Sequence, residues 1–249
     1  MERITPDPPH QVRGALLRQH WRDVIFVHWP ADPETVAPLL PAGTSPDTIG
    51  DVTYVGLVAL RMCQVAPAGL PPVPYLSWFP EVNVRLYSVG ADGRRGVTFL
   101  SLDAARLVPV LVGRGAVGLP YQWSRLRVHR EGDTVRYQAR RRWPRHRGAR
   151  LRLAVRVGEP VTVPTGLETF WTARWGVHTR RYGYLPAEHP RWPLYRATLL
   201  DLAEDLIPAA GLPAVAGPPC SVLYSPGVAA RMVPALRRAA IALVPAPAG

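Results

Sequence analysis

Residues 79–87 (FPEVNVRLY) concentrate side chains that can do chemistry on a small molecule. Glu81, Asn83, Arg85 and Tyr87 stand two residues apart and alternate with three aliphatic residues. Successive side chains of a β-strand point to opposite faces, so the four polar groups share one face. That face lies either on the wet side of a sheet or against an internal cavity, and the alternation alone leaves both alternatives open.

The cavity alternative gives each polar group a chemical role. A buried Glu81 has a raised pKa and can act as a general acid or base. Arg85 stands four residues away, about 13 Å along a strand, so it cannot pair with Glu81 and could hold a substrate carboxylate or enolate. Asn83 lies between them and could hydrogen-bond a carbonyl group. The plainer alternative is that Glu81 and Arg85 each pair with other buried residues.

Neighbouring strands must hold this polar face in place, and the sequence predicts them. The turn GADGRRG leads from FPEVNVRLY into VTFLSL, which predicts a hairpin. A second hairpin joins WSRLRVHR to TVRYQARRR, and further strands are expected over residues 23–29 and 51–65. Strands that follow one another directly favour antiparallel pairing. The predicted fold class is therefore α+β, a mostly antiparallel sheet with a few short helices.

Helix starts are indicated by capping residues. Asp32 precedes a short apolar run, and Thr165 with Glu168 forms a capping-box pattern. Asp103 is also predicted to cap a helix, over residues 104–112, rather than to act as a catalytic acid.

The chain has no internal repeat and no break in composition that would divide it. We therefore expect one domain over residues 1–249, with an irregular N-terminal arm over 1–20 and a disordered tail over 244–249. Homo-oligomerisation stays open.

The charge of the chain is strongly positive, at +12, and all 30 basic residues are arginine because the sequence contains no lysine. Arginine is densest over residues 140–152, between two alternating segments. This pattern predicts a solvated hairpin; an anion-binding or nucleic-acid-binding patch is the alternative. Nucleic acid is not the expected partner, since aromatic residues are interleaved there only at Trp143.

Several classes of protein and site are not expected. No apolar run reaches the length of a membrane span, and the N-terminus lacks the apolar region of a secretory signal, so we expect a cytoplasmic protein that does not insert in membranes. Cys63 and Cys220 are expected to be small buried hydrophobes. The seven histidines form no metal-ligand pair, and nucleotide-binding and nucleophile motifs are absent, so we expect neither a metal nor a cofactor.

Three segments together resemble a known family. FPEVNVRLY with its hairpin, VTFLSLDAA and GRGAVGLPYQW are similar to the YqjF-like family of uncharacterised proteins, within the acetoacetate decarboxylase-like superfamily. The resemblance implies a mostly antiparallel, cone-shaped β-barrel flanked by short helices, with the active site inside. The polar face of residues 81–87 would then point into the barrel.

The resemblance also implies where the family's chemistry would lie. Glu81 matches the family's buried glutamate, and the turn Gly118-Leu119-Pro120 precedes the positions of two lysines. Those positions hold Tyr121 and Gln122 here. An imine requires a primary amine, which arginine cannot supply, so the decarboxylases' Schiff-base route is excluded for the side chains of this sequence.

The expected function is therefore an enzyme that acts on a small carbonyl or carboxylate compound by acid/base chemistry, as a lyase, dehydratase, isomerase or cyclase. The expected catalytic residues are Glu81 and Tyr121, and the expected substrate-binding residues are Asn83, Arg85, Gln122 and His28. His28, in FVHWP, is alternatively a structural histidine at a strand end. His178 and Arg180 form a second pair that could enter the cavity. A barrel that binds a small ligand without catalysis is the alternative function.

Overall fold

The structure is a computed structural model that describes residues 1–10, 12 and 17–233. In chain order its strands are β1 (Leu17–Ala31), β2 (Thr44–Pro46), β3 (Thr53–Pro67), β4 (Phe79–Gly90), β5 (Arg95–Ala104), β6 (Tyr121–Glu131), β7 (Thr134–Trp143), β8 (Arg150–Pro160), β9 (Gly176–Thr179), β10 (Gly183–Glu188), β11 (Tyr195–Glu204) and β12 (Ser221–Met232). Its α-helices are α1 (Pro33–Val36), α2 (Leu107–Val112), α3 (Gly166–Thr172) and α4 (Leu206–Ala209). The expectation of a strand-rich fold with a few short helices is confirmed.

The strands pair into a closed ring. Going round it, the order is β5, β6, β7, β8, β11, β12, β1, β3 and β4, and β4 pairs again with β5. Neighbouring strands of this ring are antiparallel except for β5 and β6, which are parallel. Strand β9, which pairs with β10, attaches to β5 through a second parallel contact. The hairpins predicted for β4–β5 and β6–β7 are present.

Strand β4 is buried on both of its faces, which answers the question raised by its alternation. Val82, Val84 and Leu86 belong to a large apolar cluster that also includes residues of β1, β3, β7 and β8. On the opposite face, Glu81 is only 3% exposed and Arg85 only 9%. The polar face is therefore not the wet side of a sheet.

Two of the predicted helix caps are present and the third is wrong. Asp32 accepts a hydrogen bond from the backbone N–H of Glu34, and Thr165 forms the complete capping box with Glu168. Asp103 instead lies within β5, fully buried, and α2 begins only at Leu107. Its two carboxylate oxygens accept hydrogen bonds from Arg141, and Ser124 donates a third. Because of this buried ion pair and the pairing with β6, strand β5 continues past Asp103, where the sequence predicted a helix cap.

The N-terminal segment lies along the β4–β5 turn. The backbone N–H of Glu2 donates to the carbonyl of Gly93, and the Glu2 carboxylate accepts from the backbone N–H of Arg95. The expected irregular arm over residues 1–20 overlaps β1, which begins at Leu17. The tail predicted over 244–249 lies outside the described residues.

Two further expectations concern the cysteines and membranes. Cys63 is half-buried and Cys220 is exposed, so the expectation that both are buried is wrong. Cys63 lies within β3, and Cys220 directly precedes β12. Among the helices described, none combines the length and the apolar character that crossing a membrane requires.

Candidate active site

A cavity of about 270 Å³ lies against the polar face of β4, and we call it the Glu81 cavity. Glu81, Asn83 and Arg85 line it from β4, and Tyr121 lines it from the start of β6. Most of its other lining side chains are apolar; they include Val24, Phe26, Val58, Leu60, Met62, Phe79, Leu102 and Trp192. The structure thus brings four of the six predicted site residues together.

Strand register brings Tyr121 to Glu81. Asn83 on β4 lies opposite Leu102 on β5, which in turn lies opposite Tyr121 on β6. The Tyr121 hydroxyl donates a hydrogen bond to Glu81 Oε2 at 3.1 Å. Gly113 leaves the room that the tyrosine ring needs, because a Cβ at that position would lie 2.3 Å from the ring carbon Cδ2.

The environment holds these two groups in protonation states suited to proton transfer. Burial raises the pKa of Glu81 to about 7, and the charge of Asp103 adds to the rise, while hydrogen bonds from Tyr121 and Asn83 oppose it. Burial and the neighbouring Glu81 raise the pKa of Tyr121 well above its ordinary value. Near neutral pH, Glu81 can therefore gain or lose its proton, and the Tyr121 phenol keeps its own.

Asn83 adds a hydrogen-bonding group between Glu81 and Arg85. Its side chain is buried and hydrogen-bonds to Glu81. Its Oδ1 atom is buried without a hydrogen-bond partner in the part of the chain that the structure describes. An unpaired buried amide oxygen is costly, so the cavity presents an acceptor for a ligand hydroxyl or N–H.

Arg85 is a buried cation beside the same cavity. Its Nη2 donates to the carbonyl of Trp171 at 2.8 Å, and its Nε donates to the hydroxyl of Tyr87 at 3.3 Å. Within residues 1–10, 12 and 17–233 it forms no ion pair with a carboxylate. By contrast Arg174, which also lines the cavity, pairs with Asp47. A buried guanidinium without a counter-charge favours an anionic ligand.

The other two predicted substrate-binding residues do not line this cavity. Gln122 follows Tyr121 on β6, so its side chain points to the opposite face and lines a different cavity. His28 is fully buried; its Nε2 hydrogen-bonds the Tyr87 hydroxyl at 2.7 Å, and its ring stacks on Trp171. Burial lowers the pKa of His28 well below its ordinary range, and the charge of Arg85 contributes. His28 thus stands behind Arg85, with Tyr87 between them.

Several lining residues were not predicted from the sequence, and the second predicted pair lies elsewhere. These are Arg174, His189 and Trp192, whose segments no local pattern marks as part of a site. Trp21 also lines the cavity, and its ring stacks on that of Trp192 with their centroids 5.7 Å apart. His178 and Arg180 line the cavity that contains Gln122.

The described residues contain no group of three His, Cys, Asp or Glu side chains placed to hold a metal ion. The reactive groups that line the Glu81 cavity include a carboxyl group, a phenol, an amide and a guanidinium.

Comparison with known proteins identifies the family. Residues 18–229 match the DUF2071 family of uncharacterized conserved proteins, and the chain belongs to this family. It is 29% identical to the uncharacterized protein YqjF of Bacillus subtilis (strain 168) over 187 residues, which cover 73% of this chain and 76% of YqjF. The resemblance to YqjF-like proteins is thereby confirmed.

Two solved structures share the fold. The acetoacetate decarboxylase of Legionella pneumophila superposes with a TM-score of 0.58 at 16% identity, covering 91% of this chain and 89% of its own. The enduracididine biosynthesis enzyme MppR in complex with pyruvate superposes with a TM-score of 0.56 at 14% identity, covering 90% of this chain and 89% of its own. At these identities the similarity establishes an acetoacetate decarboxylase-like fold.

Proposed function

We propose that this protein is a small-molecule enzyme that transfers protons on a small carboxylate bearing a carbonyl group, without an imine intermediate. The observation that carries the proposal is the hydrogen-bonded Glu81–Tyr121 pair, which shares one largely apolar cavity with Arg85. The guanidinium of Arg85 forms no ion pair within the part of the chain that the structure describes. We also propose that the ring of strands forms the cone-shaped barrel of acetoacetate decarboxylase-like proteins, as one domain over residues 1–249.

The proposed roles follow from the chemistry of each group. Arg85 binds the substrate carboxylate through a charge-assisted hydrogen bond. The Glu81 carboxylate takes the proton from the carbon next to the carbonyl. The electron pair of that C–H bond forms a C=C bond to the carbonyl carbon, and the π pair of the C=O bond moves to the oxygen. The Tyr121 hydroxyl, protonated at neutral pH, donates to the enolate oxygen that forms. A base with a pKa near the working pH is well suited to this step.

The size and lining of the cavity limit the substrate. A volume of about 270 Å³ corresponds to roughly nine water molecules of liquid, at about 30 Å³ each. The mostly apolar wall, with Trp21 and Trp192 stacked in it, favours a short aliphatic or aromatic group on the substrate. Pyruvate, the ligand of the MppR complex, combines a carboxylate with an adjacent carbonyl and is the simplest probe of this class.

Schiff-base chemistry is not part of the proposal. The sequence contains no lysine, so the N-terminal amine is its only primary amine. Met1 lies against Gly93 of the β4–β5 turn and is not among the lining residues of the Glu81 cavity.

The test is deuterium exchange. Wild-type protein is incubated in D₂O with pyruvate and with longer aliphatic and aromatic 2-oxo acids, and loss of the C3 proton signals is followed by NMR. We expect catalysed exchange that Glu81→Gln abolishes, because the substitution keeps the shape of the side chain and removes its titratable proton. Glu204→Gln is the matched control, because burial also raises the pKa of Glu204, which lies outside the cavity.

A different result would favour the alternative function. If the 2-oxo acids bind to wild type and exchange no faster than in buffer, the protein is a ligand-binding barrel without this catalysis. If Glu81→Gln exchanges protons as fast as wild type, Glu81 is not the base.

A further inference from the structure

We propose that the protein has a second ligand site, a cavity that binds the phosphate or pyrophosphate group of a phosphorylated small molecule. This cavity has a volume of about 570 Å³, and we call it the arginine cavity because Arg114, Arg141, Arg145 and Arg180 line it. The site is separate from the Glu81 cavity and does not depend on the function proposed for it.

Strands β5 and β6 separate the two cavities. Leu102 and Tyr121 line the Glu81 cavity, whereas their chain neighbours Ser101 and Gln122 line the arginine cavity. At these two pairs of positions the side chains alternate as expected of strands with a cavity on each face. Phe99 on β5 and Leu119, just before β6, line both cavities.

Arginines from three distant turns converge on the arginine cavity. Arg114 comes from the π-helical turn that follows α2, Arg145 from the β7–β8 turn and Arg180 from the β9–β10 turn. Arg114 Nη1 donates to the carbonyl of Tyr121 at 2.7 Å, and Arg180 Nη2 donates to the carbonyl of Leu39 at 2.9 Å. These backbone contacts position two guanidinium groups and leave their other N–H donors for a ligand.

The described residues leave the charge of the cavity uncompensated. Among them, no aspartate or glutamate lines it. Arg141 is paired with Asp103, but Arg114, Arg145 and Arg180 form no ion pair with any carboxylate of the described chain. Cations gathered in a concave site repel one another, and an anion bound among them relieves that repulsion.

The number of unpaired arginines points to phosphate rather than to a single carboxylate. Three guanidinium groups match a dianionic phosphate ester or a pyrophosphate, which offer more charge and more acceptor oxygens than one carboxylate. Leu39, Pro41, Phe99 and Leu100 also line the cavity and provide an apolar wall for the organic part of the ligand. The volume lies within the range of small-molecule sites.

The experiment is isothermal titration with inorganic pyrophosphate at constant ionic strength. Wild type is compared with Arg145→Gln and Arg180→Gln, both of which replace exposed side chains, and circular dichroism checks their folding. Each substitution is expected to weaken pyrophosphate binding about 10- to 100-fold, because it removes one charged hydrogen-bond donor. Arg147→Gln is the matched control, since Arg147 is an exposed arginine of the same β7–β8 turn that does not line the cavity. It should change the affinity by no more than about twofold, because Arg147 does not line the cavity and only its salt-screened, longer-range charge would be lost.

Three results would overturn the proposal. The first is no pyrophosphate binding to wild type, and the second is an equal loss in Arg147→Gln, which indicates general attraction to a basic surface. The third is tighter binding of citrate, or of single-stranded DNA, than of pyrophosphate. Glu81→Gln should leave pyrophosphate binding unchanged, so failure of this site and failure of the proposed enzyme are distinguishable.

Discussion

The stability of Glu81→Gln relative to wild type should increase as the pH rises, and the pKa of Glu81 gives the size of the increase. Glu81 is buried, with a pKa raised to about 7. In the unfolded chain a glutamate has a pKa near 4.3. The folded protein therefore prefers the protonated carboxyl. The stability that this preference contributes is fully present below the unfolded pKa and is lost as the pH rises through the folded one.

The size of this loss follows from the distance between the two pKa values. At about 1.4 kcal/mol per pKa unit, it amounts to about 3 kcal/mol between pH 4 and pH 8, and about 2 kcal/mol of it falls between pH 5 and pH 7. Glutamine resembles the protonated acid in shape and does not titrate. The free energy of unfolding of Glu81→Gln, minus that of wild type, should therefore grow by this amount over the same range.

Urea denaturation of both proteins at several pH values measures that difference. The subtraction is needed because other groups titrate in the same range. Burial lowers the pKa values of His178 and His189 to about 4, so their contributions to stability are lost as the pH falls and oppose that of Glu81. They cancel in the difference because the substitution leaves both histidines in place. A difference that stays flat from pH 5 to pH 8 would mean that Glu81 is ionised in the folded protein, and the acid/base role would lose its basis.

Three other predictions test the remaining groups. Tyr121→Phe removes a hydrogen bond that favours the Glu81 carboxylate, so the pKa of Glu81, read from NMR or from the pH profile of proton exchange, should rise further; a fall would contradict the assigned hydrogen bond. Arg85→Ala should weaken binding of 2-oxo acids about 10- to 100-fold and leave neutral ketones of similar shape nearly unaffected, as measured by calorimetry; equal losses would assign Arg85 to packing alone. Borohydride with pyruvate should label no side chain of wild type, as read by mass spectrometry. The variant Tyr121→Lys should be labelled, and Gln122→Lys, whose side chain faces the other cavity, should be labelled less. Equal labelling of the two variants would contradict the separation of the cavities.

The polar face of β4 could be predicted from the sequence because it depends on strand geometry alone. Alternation groups Glu81, Asn83 and Arg85 wherever the strand lies, and the structure places all three on one cavity. The approach of Tyr121 could not be predicted in this way. It depends on the parallel pairing of β5 with β6, and only the family resemblance suggested it.

Other parts of the site were beyond local patterns. Trp21 and Phe26 both line the cavity although they lie five positions apart on β1. In a regular strand, residues an odd number of positions apart point to opposite faces. Strand β1 changes register between Arg22 and Ile25, and Asp23 has a φ of 47°, so the alternation is reset there. A bulge of this kind has no clear signal in the sequence. Asp103 illustrates the same limit, since its partner Arg141 lies 38 residues away.

The residue at position 121 determines how Glu81 can be used. A lysine ammonium at this position would place a cation beside the carboxyl group, which favours the carboxylate and lowers its pKa. The Tyr121 phenol donates one hydrogen bond and carries no charge, so its effect is too small to offset burial, and the pKa of Glu81 stays at about 7. The tyrosine therefore removes the amine that an imine requires and at the same time leaves the glutamate able to exchange its proton near neutral pH. This is the chemical basis on which we propose proton transfer by Glu81 in this cavity.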